Sequence, residues 1–387
     1  MNILVITFCR GLNPGTFMQA LGVRTGLLQI FPEANIDYLN FPDFKRGLGG
    51  VFGKKDSLKD IFLQKSSAIY RKIKYRRLEK KYFPKTKPID LFAYDDNNAR
   101  EIISSYDLVV VGSDTILEKA VDDKGNIGLN WLRSDLCCCP RVFFAASASP
   151  ARFEIDEELK SNLKKIIDGF SYIGLRDNLS IKLFEKTLGV ESTLINKQPD
   201  PTFFLDVHRF KLGSYYEKKL LGKKVALYNF SAHFPYKREF AAMLKAKGYY
   251  VVATGYCPDI DLCINTIDAT EWAGVFNYVT VVVTERFHDS VFSLRNEKPV
   301  VAIDWEKERF SDSGDSKTYR ILEDYDMLDY HYHVESIDDL KPIAEALNER
   351  VASFDKAKVA AKNKEMICIA NSLLNKVKVA YENNIKS

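Results

Sequence analysis

At 387 residues, with 46% hydrophobic and 28% charged residues, the chain has the composition of an ordinary globular protein. It exceeds the length at which one hydrophobic core usually stops growing, so two domains are expected, and no apolar run approaches the roughly 20 residues of a membrane-spanning helix. A net charge of +4 excludes a globally basic nucleic-acid binder, yet residues 54–87 hold 13 Lys/Arg against three acids, a local +10 that leaves −6 for the remainder. The seven cysteines form neither a disulfide framework nor a metal-site spacing; the consecutive Cys137, Cys138 and Cys139 read as buried reduced thiols. With no signal-peptide pattern at the start of the chain, a cytoplasmic protein is the expectation.

Residues 2–8 read as a strand, and Cys9-Arg10-Gly11-Leu12-Asn13-Pro14-Gly15-Thr16 follows, with Thr16 able to cap a helix beginning at Phe17. A Gly-containing loop ahead of a helix offers backbone N–H groups to an anion, although both the dinucleotide fingerprint and the phosphate-loop lysine motif are missing. Residues 35–39 read as a second strand and 47–55 as a glycine-bearing loop. Residues 57–82 place apolar side chains at 58, 61, 62, 69, 73 and 78 among the basic ones, a helical face. Two readings stand: a solvated helix with a lysine-rich outer face, or a surface that docks on an anionic membrane or an anionic glycan.

From residue 102 the alternation is regular. Strands are expected at 108–111, 142–145, 172–175 and 193–195, with helical patterns at 159–170 and 179–188. After Asp200-Pro201-Thr202-Phe203-Phe204-Leu205, a polar stretch to Lys224 reads as an inter-domain linker. A second set of strands follows at 225–230, 249–254, 279–284 and 299–303, separated by helices at 238–247, 271–276 and 290–295. Residues 336–378 are helical by pattern, with Leu340, Ile343, Leu347, Val351 and Phe354 spaced by three and four, long enough to pack across both halves. Strands alternating with helices of about ten residues mean parallel sheets with right-handed crossovers. The expected fold class is therefore α/β: two Rossmann-like domains facing a cleft, over residues 1–206 and 207–335, with C-terminal helices at 336–387 packing back.

Four strand ends carry unusual residues: Ser113-Asp114, Ser147 and Ser149, Arg176-Asp177, and Arg286-Phe287-His288-Asp289. In parallel sheets such ends share one edge, where ligands bind. Each has a plainer reading. Asp177 suits the cap of a helix starting near Asn178, Ser113 and Asp114 suit a turn, and Arg286 suits a salt bridge to Glu285 or Asp289. An arginine two residues from a histidine at a strand end favours function for His288, whereas His208, His233, His331 and His333 read as surface or packing residues.

In order, the elements Gly112-Ser113-Asp114, Leu175-Arg176-Asp177 with Ser180, the 200–205 segment and the 284–303 segment around His288 resemble the polysaccharide pyruvyl transferase family. The opening 2–28 segment and Lys317-Thr318-Tyr319-Arg320-Ile321-Leu322 are similar to that family too, so the resemblance spans most of residues 1–328. It implies a GT-B-like pair of domains and transfer of pyruvate from phosphoenolpyruvate to sugar hydroxyls as a cyclic ketal. In that chemistry His288 is the expected general acid, Arg176, Arg286, Phe287 and Ser147 hold phosphoenolpyruvate with it, and Asp114 or Asp177 accepts the hydroxyl proton or orients a sugar. Asn13, Gly15, Thr16, Ser113 and Asp114 are the expected acceptor contacts. Phosphoenolpyruvate is a co-substrate, and no cofactor or metal is expected. The expected partners are a glycan or lipid-linked oligosaccharide and, through the basic 54–87 segment, the inner face of the membrane, but not nucleic acid. The sequence departs from frequent family patterns at Thr115-Ile116-Leu117 and at Asn13-Pro14-Gly15, both on the acceptor side. Two other readings remain on the same architecture: a nucleotide-sugar-dependent glycosyltransferase or epimerase, and a non-catalytic glycan-binding relative.

Overall fold

The first half of the chain runs β1 (Asn2–Ile6), α1 (Pro14–Ile30), β2 (Asn35–Asn40), α2 (Leu58–Tyr82), β3 (Lys85–Pro88), α3 (Asp96–Ile103), β4 (Leu108–Val111), β5 (Arg141–Ala146), α4 (Glu157–Asp168), β6 (Tyr172–Leu175), α5 (Asn178–Lys182) and β7 (Ile195–Lys197). The second half runs α6 (Ser214–Leu220), β8 (Val225–Asn229), α7 (Lys237–Ala246), β9 (Tyr250–Ala253), β10 (Leu262–Cys263), α8 (Ala269–Val275), β11 (Val281–Thr284), α9 (Phe287–Arg295), β12 (Val300–Asp304), α10 (Lys317–Asp324), β13 (His331–His333), α11 (Leu340–Ala352) and α12 (Lys356–Lys386). This computed structural model describes residues 1–42, 58–149, 155–255, 257, 259–305 and 316–386. The expected loop at 47–55 and the start of the basic stretch at 54–57 lie outside the described residues.

The strands form a seven-stranded sheet, ordered β3-β2-β1-β4-β5-β6-β7, and a six-stranded sheet, ordered β10-β9-β8-β11-β12-β13. Every ladder between these strands is parallel. Central strands are buried on both faces: in β1, Ile3 and Val5 enter one core cluster while Leu4 and Ile6 enter another. Such strands read as continuous apolar runs, the mark of sheets covered by helices on each side. The order of each sheet reverses once, between β1 and β4 and between β8 and β11, and crevices open at these switch points.

One core cluster runs through both halves, joining residues of α1, α8, α9 and α12. The 336–378 helix of the sequence reading is two helices. The chain breaks after α11, and Asp355 caps the next helix by accepting from the Lys358 N–H at 2.9 Å. Leu340, Ile343 and Leu347 of α11 fill the second core. The long α12 packs against α1, the Pro201–Phe204 turn and β6 of the first half, and against α9 of the second.

Other differences have local causes. The polar stretch to Lys224 is folded: Leu205, Val207 and Leu212 are buried, and α6 lies within it. The 179–188 helix ends early as α5 and continues through a wider π turn, Leu183–Thr187. The 193–195 strand starts instead at Ile195, after a 3-10 turn. Of the three consecutive cysteines, Cys137 is buried and Cys139 half-buried, but Cys138 is exposed. The run leaves a 3-10 turn for an extended chain, so neighbouring side chains point to opposite sides.

Candidate functional site

The two switch points face each other across a cleft of about 1360 Å³. Its walls are the loop after β1, the turn after β4, the ends of β5 and β6, the ends of β8, β9, β11 and β12, and the basic helix α2. Among the described residues three helices of eight or more residues begin on it: α1 at Asn13–Thr16, α9 at Arg286–His288 and α10 at Ser316–Thr318. Unpaired N–H groups and the positive dipole end of each helix favour an anion there.

His288 lies in the first turn of α9, because the helix starts three residues earlier than its apolar pattern suggests. Among the described residues its Nε2 has no hydrogen-bond partner, and Asp200 Oδ2 lies 3.8 Å away, within ion-pair range but beyond hydrogen-bond reach. Gly15 lies against the other side of the ring, where a Cβ would stand 2.2 Å from Nδ1. Only glycine permits this approach of α1 to the imidazole.

Asp200 is the hub behind the histidine. Its Oδ2 accepts from Gln19 Nε2 at 2.7 Å and pairs with Arg176 at 3.0 Å, and its Oδ1 accepts from Thr202 Oγ1 at 2.7 Å. Arg176 also stacks on the Phe287 ring, 5.2 Å from its centroid, which ties the first half to the α9 elbow. From the opposite wall, Lys317 Nζ donates to the Ser149 carbonyl at 3.0 Å.

Asp114 sits in the left-handed region, at φ 65°, which aspartate tolerates better than most residues. Gly112, two residues before it, has φ 122°, and a Cβ there would meet the Phe144 carbonyl oxygen at 2.3 Å. This turn aims the Asp114 carboxylate at α1, where Thr16 Oγ1 donates to it at 2.9 Å. Burial raises the Asp114 pKa, but Arg176, His288, Lys317 and the Thr115 N–H outweigh that and hold it below the usual value. Burial likewise raises Asp200, and Arg176, His288 and the Thr202 bonds bring it down. Burial lowers His288, a fall opposed by Asp200 and Asp114 and reinforced by Arg176 and Lys317. Burial and then Arg176 push Lys317 down to about 8.

Of the residues expected from the sequence, Asn13, Gly15, Thr16, Asp114, Arg176, Arg286, Phe287 and His288 line this one cleft. Asn13 caps α1 by accepting from the Gly15 N–H, the role expected of Thr16. Among the described residues no carboxylate lies within ion-pair distance of Arg286, so the expected salt-bridge alternative is not what forms. Glu285 instead accepts from the Ser231 N–H and Trp305 Nε1, and Asp289 accepts from Thr284 Oγ1.

Three expected residues sit behind the lining. Ser113 and Ser147 are fully buried; the Ser147 N–H donates to the Asp114 carbonyl at 3.0 Å, and its neighbour Ser149 reaches the cleft instead. Asp177 caps α5, accepting from the Ser180 N–H at 2.8 Å and Ser180 Oγ at 2.7 Å, and does not line the cleft. An extended strand end alternates its side chains, so a run of polar residues there cannot all face one side.

The sequence reading gave no role to Asp200, Lys317 or Asp304, and it read the basic helix as a solvated or docking surface rather than as a wall of the cleft. Asp200 and Lys317 stood inside segments that carried the family resemblance, and that was the available signal. Asp304 accepts from Ser316 Oγ and Thr318 Oγ1 and is bonded to His331, so it fixes the start of α10 and hence Lys317. His331 is thus a supporting residue of the site. On the far wall Arg71, Lys72, Tyr75, Arg76 and Glu79 of α2 line the cleft, and Glu79 is paired with Lys85. Among the described residues no helix is long and apolar enough to cross a membrane.

Solved structures share this fold at low identity. A Listeria monocytogenes protein assigned as a UDP-N-acetylglucosamine 2-epimerase superposes with TM-score 0.60 at 12% identity, covering 99% of this chain and 97% of that one. A glycosyltransferase from Rickettsia africae gives 0.58 at 11%, covering 100% and 99%. Anabaena HepE in complex with UDP-glucose gives 0.58 at 12%, covering 98% and 100%. These place the chain in the GT-B-like architecture of such glycosyltransferases and epimerases and fix nothing finer. A search of curated proteins finds no match. The polysaccharide pyruvyl transferase family model matches residues 13–307, which hold the α1 loop, the Asp114 turn, Arg176, Asp200 and the α9 elbow, and the chain therefore belongs to the polysaccharide pyruvyl transferase family.

Proposed function

We propose that the protein transfers pyruvate from phosphoenolpyruvate onto two hydroxyls of a sugar in a polysaccharide or its precursor, forming a cyclic ketal and releasing phosphate. The observation that carries this reading is the pairing, in one turn of α9, of a guanidinium with no carboxylate partner among the described residues and an imidazole Nε2 with no hydrogen bond. Phosphoenolpyruvate carries about three negative charges near neutral pH and needs several fixed cations. Arg286 and Lys317, with Arg176 behind them and three helix N-termini around them, supply that field.

His288 delivers the proton. Burial keeps its pKa low in the free protein, and an anion seated beside the ring raises it, so donor binding itself charges the acid. Protonation of the methylene carbon develops positive charge on the neighbouring carbon, which one sugar hydroxyl attacks. The C–O bond to phosphate then breaks, and the second hydroxyl closes the ring. Of the two hydroxyl protons, one balances the proton gained by the methyl group and the other leaves with phosphate. The balance closes with no further co-reactant. Asp114, held as a carboxylate and already bonded to Thr16, accepts a hydroxyl proton. The glycan, free or lipid-linked, extends along Arg71, Lys72 and Arg76 of α2.

Incubation with phosphoenolpyruvate and a panel of oligosaccharides is expected to release phosphate and to add to one acceptor the mass of pyruvate less water. Arg286→Ala is expected to lose most of this activity. Glycan binding without turnover, or phosphate release unaffected by Arg286→Ala, would contradict the assignment.

A further inference from the structure

The structure splits α2 into three faces. Tyr75 is buried against Phe17, with ring centroids 6.1 Å apart, and Leu78 and Tyr82 pack on the same core. Arg71 and Glu79 look into the cleft, and Lys74 reaches the second half of the molecule through Glu271 at 2.6 Å. The third face is outward, with Lys74 Nζ over the Tyr70 ring at 5.3 Å from its centroid. Ile69, Tyr70 and Ile73 are 62%, 52% and 43% exposed. At 3.6 residues per turn these three fall within an arc of about 100°.

Arg77 and Lys80 continue that arc over the next turns, and Lys81 borders it; all three are exposed. Lys72 and Arg76, also exposed, stand between it and the cleft mouth. None of these five cations has a carboxylate partner among the described residues, and no described acid lies on the arc. A solvated helix has no physical reason to hold two isoleucines and a tyrosine in water beside a run of cations. Aliphatic and tyrosyl side chains suit the boundary between headgroups and acyl chains, while lysine and arginine suit anionic headgroups.

We propose that this outer arc of α2 docks the protein on an anionic lipid bilayer, with Ile69, Tyr70 and Ile73 entering the headgroup boundary and the cleft mouth held next to it. The proposal stands on α2 alone and does not depend on the reaction assigned to the cleft.

Co-sedimentation of the full chain with vesicles of phosphatidylcholine alone, or of phosphatidylcholine mixed with phosphatidylglycerol, tests it. The expected result is binding selective for phosphatidylglycerol that weakens as salt rises. Ile69→Asp/Ile73→Asp and Arg77→Glu/Lys80→Glu are each expected to reduce the partition coefficient more than about tenfold, with unchanged circular dichroism because all four positions are exposed. Equal binding to both vesicle types, no binding to either, or variants that partition like the parent protein would overturn it. So would a dimer that the isoleucine variant dissociates in the absence of lipid, since the arc would then belong to a second copy of the chain.

Discussion

His288 and Arg286 leave the same helical turn and divide the work between proton and charge. Burial lowers the pKa of His288, and an anion seated beside the ring opposes that, which predicts a split in pH behaviour. The profile of kcat/KM, which follows the free protein, should fall above a pKa lower than that of an unburied histidine, and that of kcat should fall only at higher pH. Coincident profiles would argue against donor-induced charging. Gly15 tests the geometry independently. Gly15→Ala places a methyl group against Nδ1 and should lower kcat at least about tenfold, by displacing the ring, while leaving the melting temperature close to that of the parent. Arg286 and His288 were legible in the sequence because both sit where an apolar strand stops. Asp200 was not: its partners Gln19 and Arg176 are 181 and 24 residues away, and only folding brings them together.

At the scale of elements, the central strands could be read because burial on both faces leaves an unbroken apolar run, as in Leu108–Val111 and Tyr172–Leu175. The edge strands Lys85–Pro88, Leu262–Cys263 and His331–His333 could not. They are two to four residues long and half-solvated, and they pair only because a neighbour offers a free edge. The break between α11 and α12 was hidden by apolar spacing that continues across it, with Asp355 the one local sign. The length of α12 follows from its task of bridging the two halves. Leu374, fully buried where α12 meets that shared core, is the residue to remove. Leu374→Ala should cost about 2–5 kcal/mol in a urea titration, within a single transition because one core cluster spans both sheets. Two resolved transitions in the parent protein would show that α12 does not couple the halves.

For the whole molecule, the two sheets present their switch points to one another, and the cleft between them is cationic although the chain carries a net charge of only +4. Among the described residues nine Lys/Arg line it against six Asp/Glu, with Arg71, Lys72 and Arg76 on α2 and Arg286 and Lys317 at the starts of α9 and α10. Fold cannot choose the donor, since relatives of this architecture include proteins that bind UDP-glucose. Ligand-dependent thermal unfolding can. Phosphoenolpyruvate at a hundredfold excess over its dissociation constant should stabilise the protein by about 2.7 kcal/mol, UDP-glucose should not, and Arg286→Ala should abolish the effect. Stabilisation by UDP-glucose with no response to phosphoenolpyruvate would contradict the account.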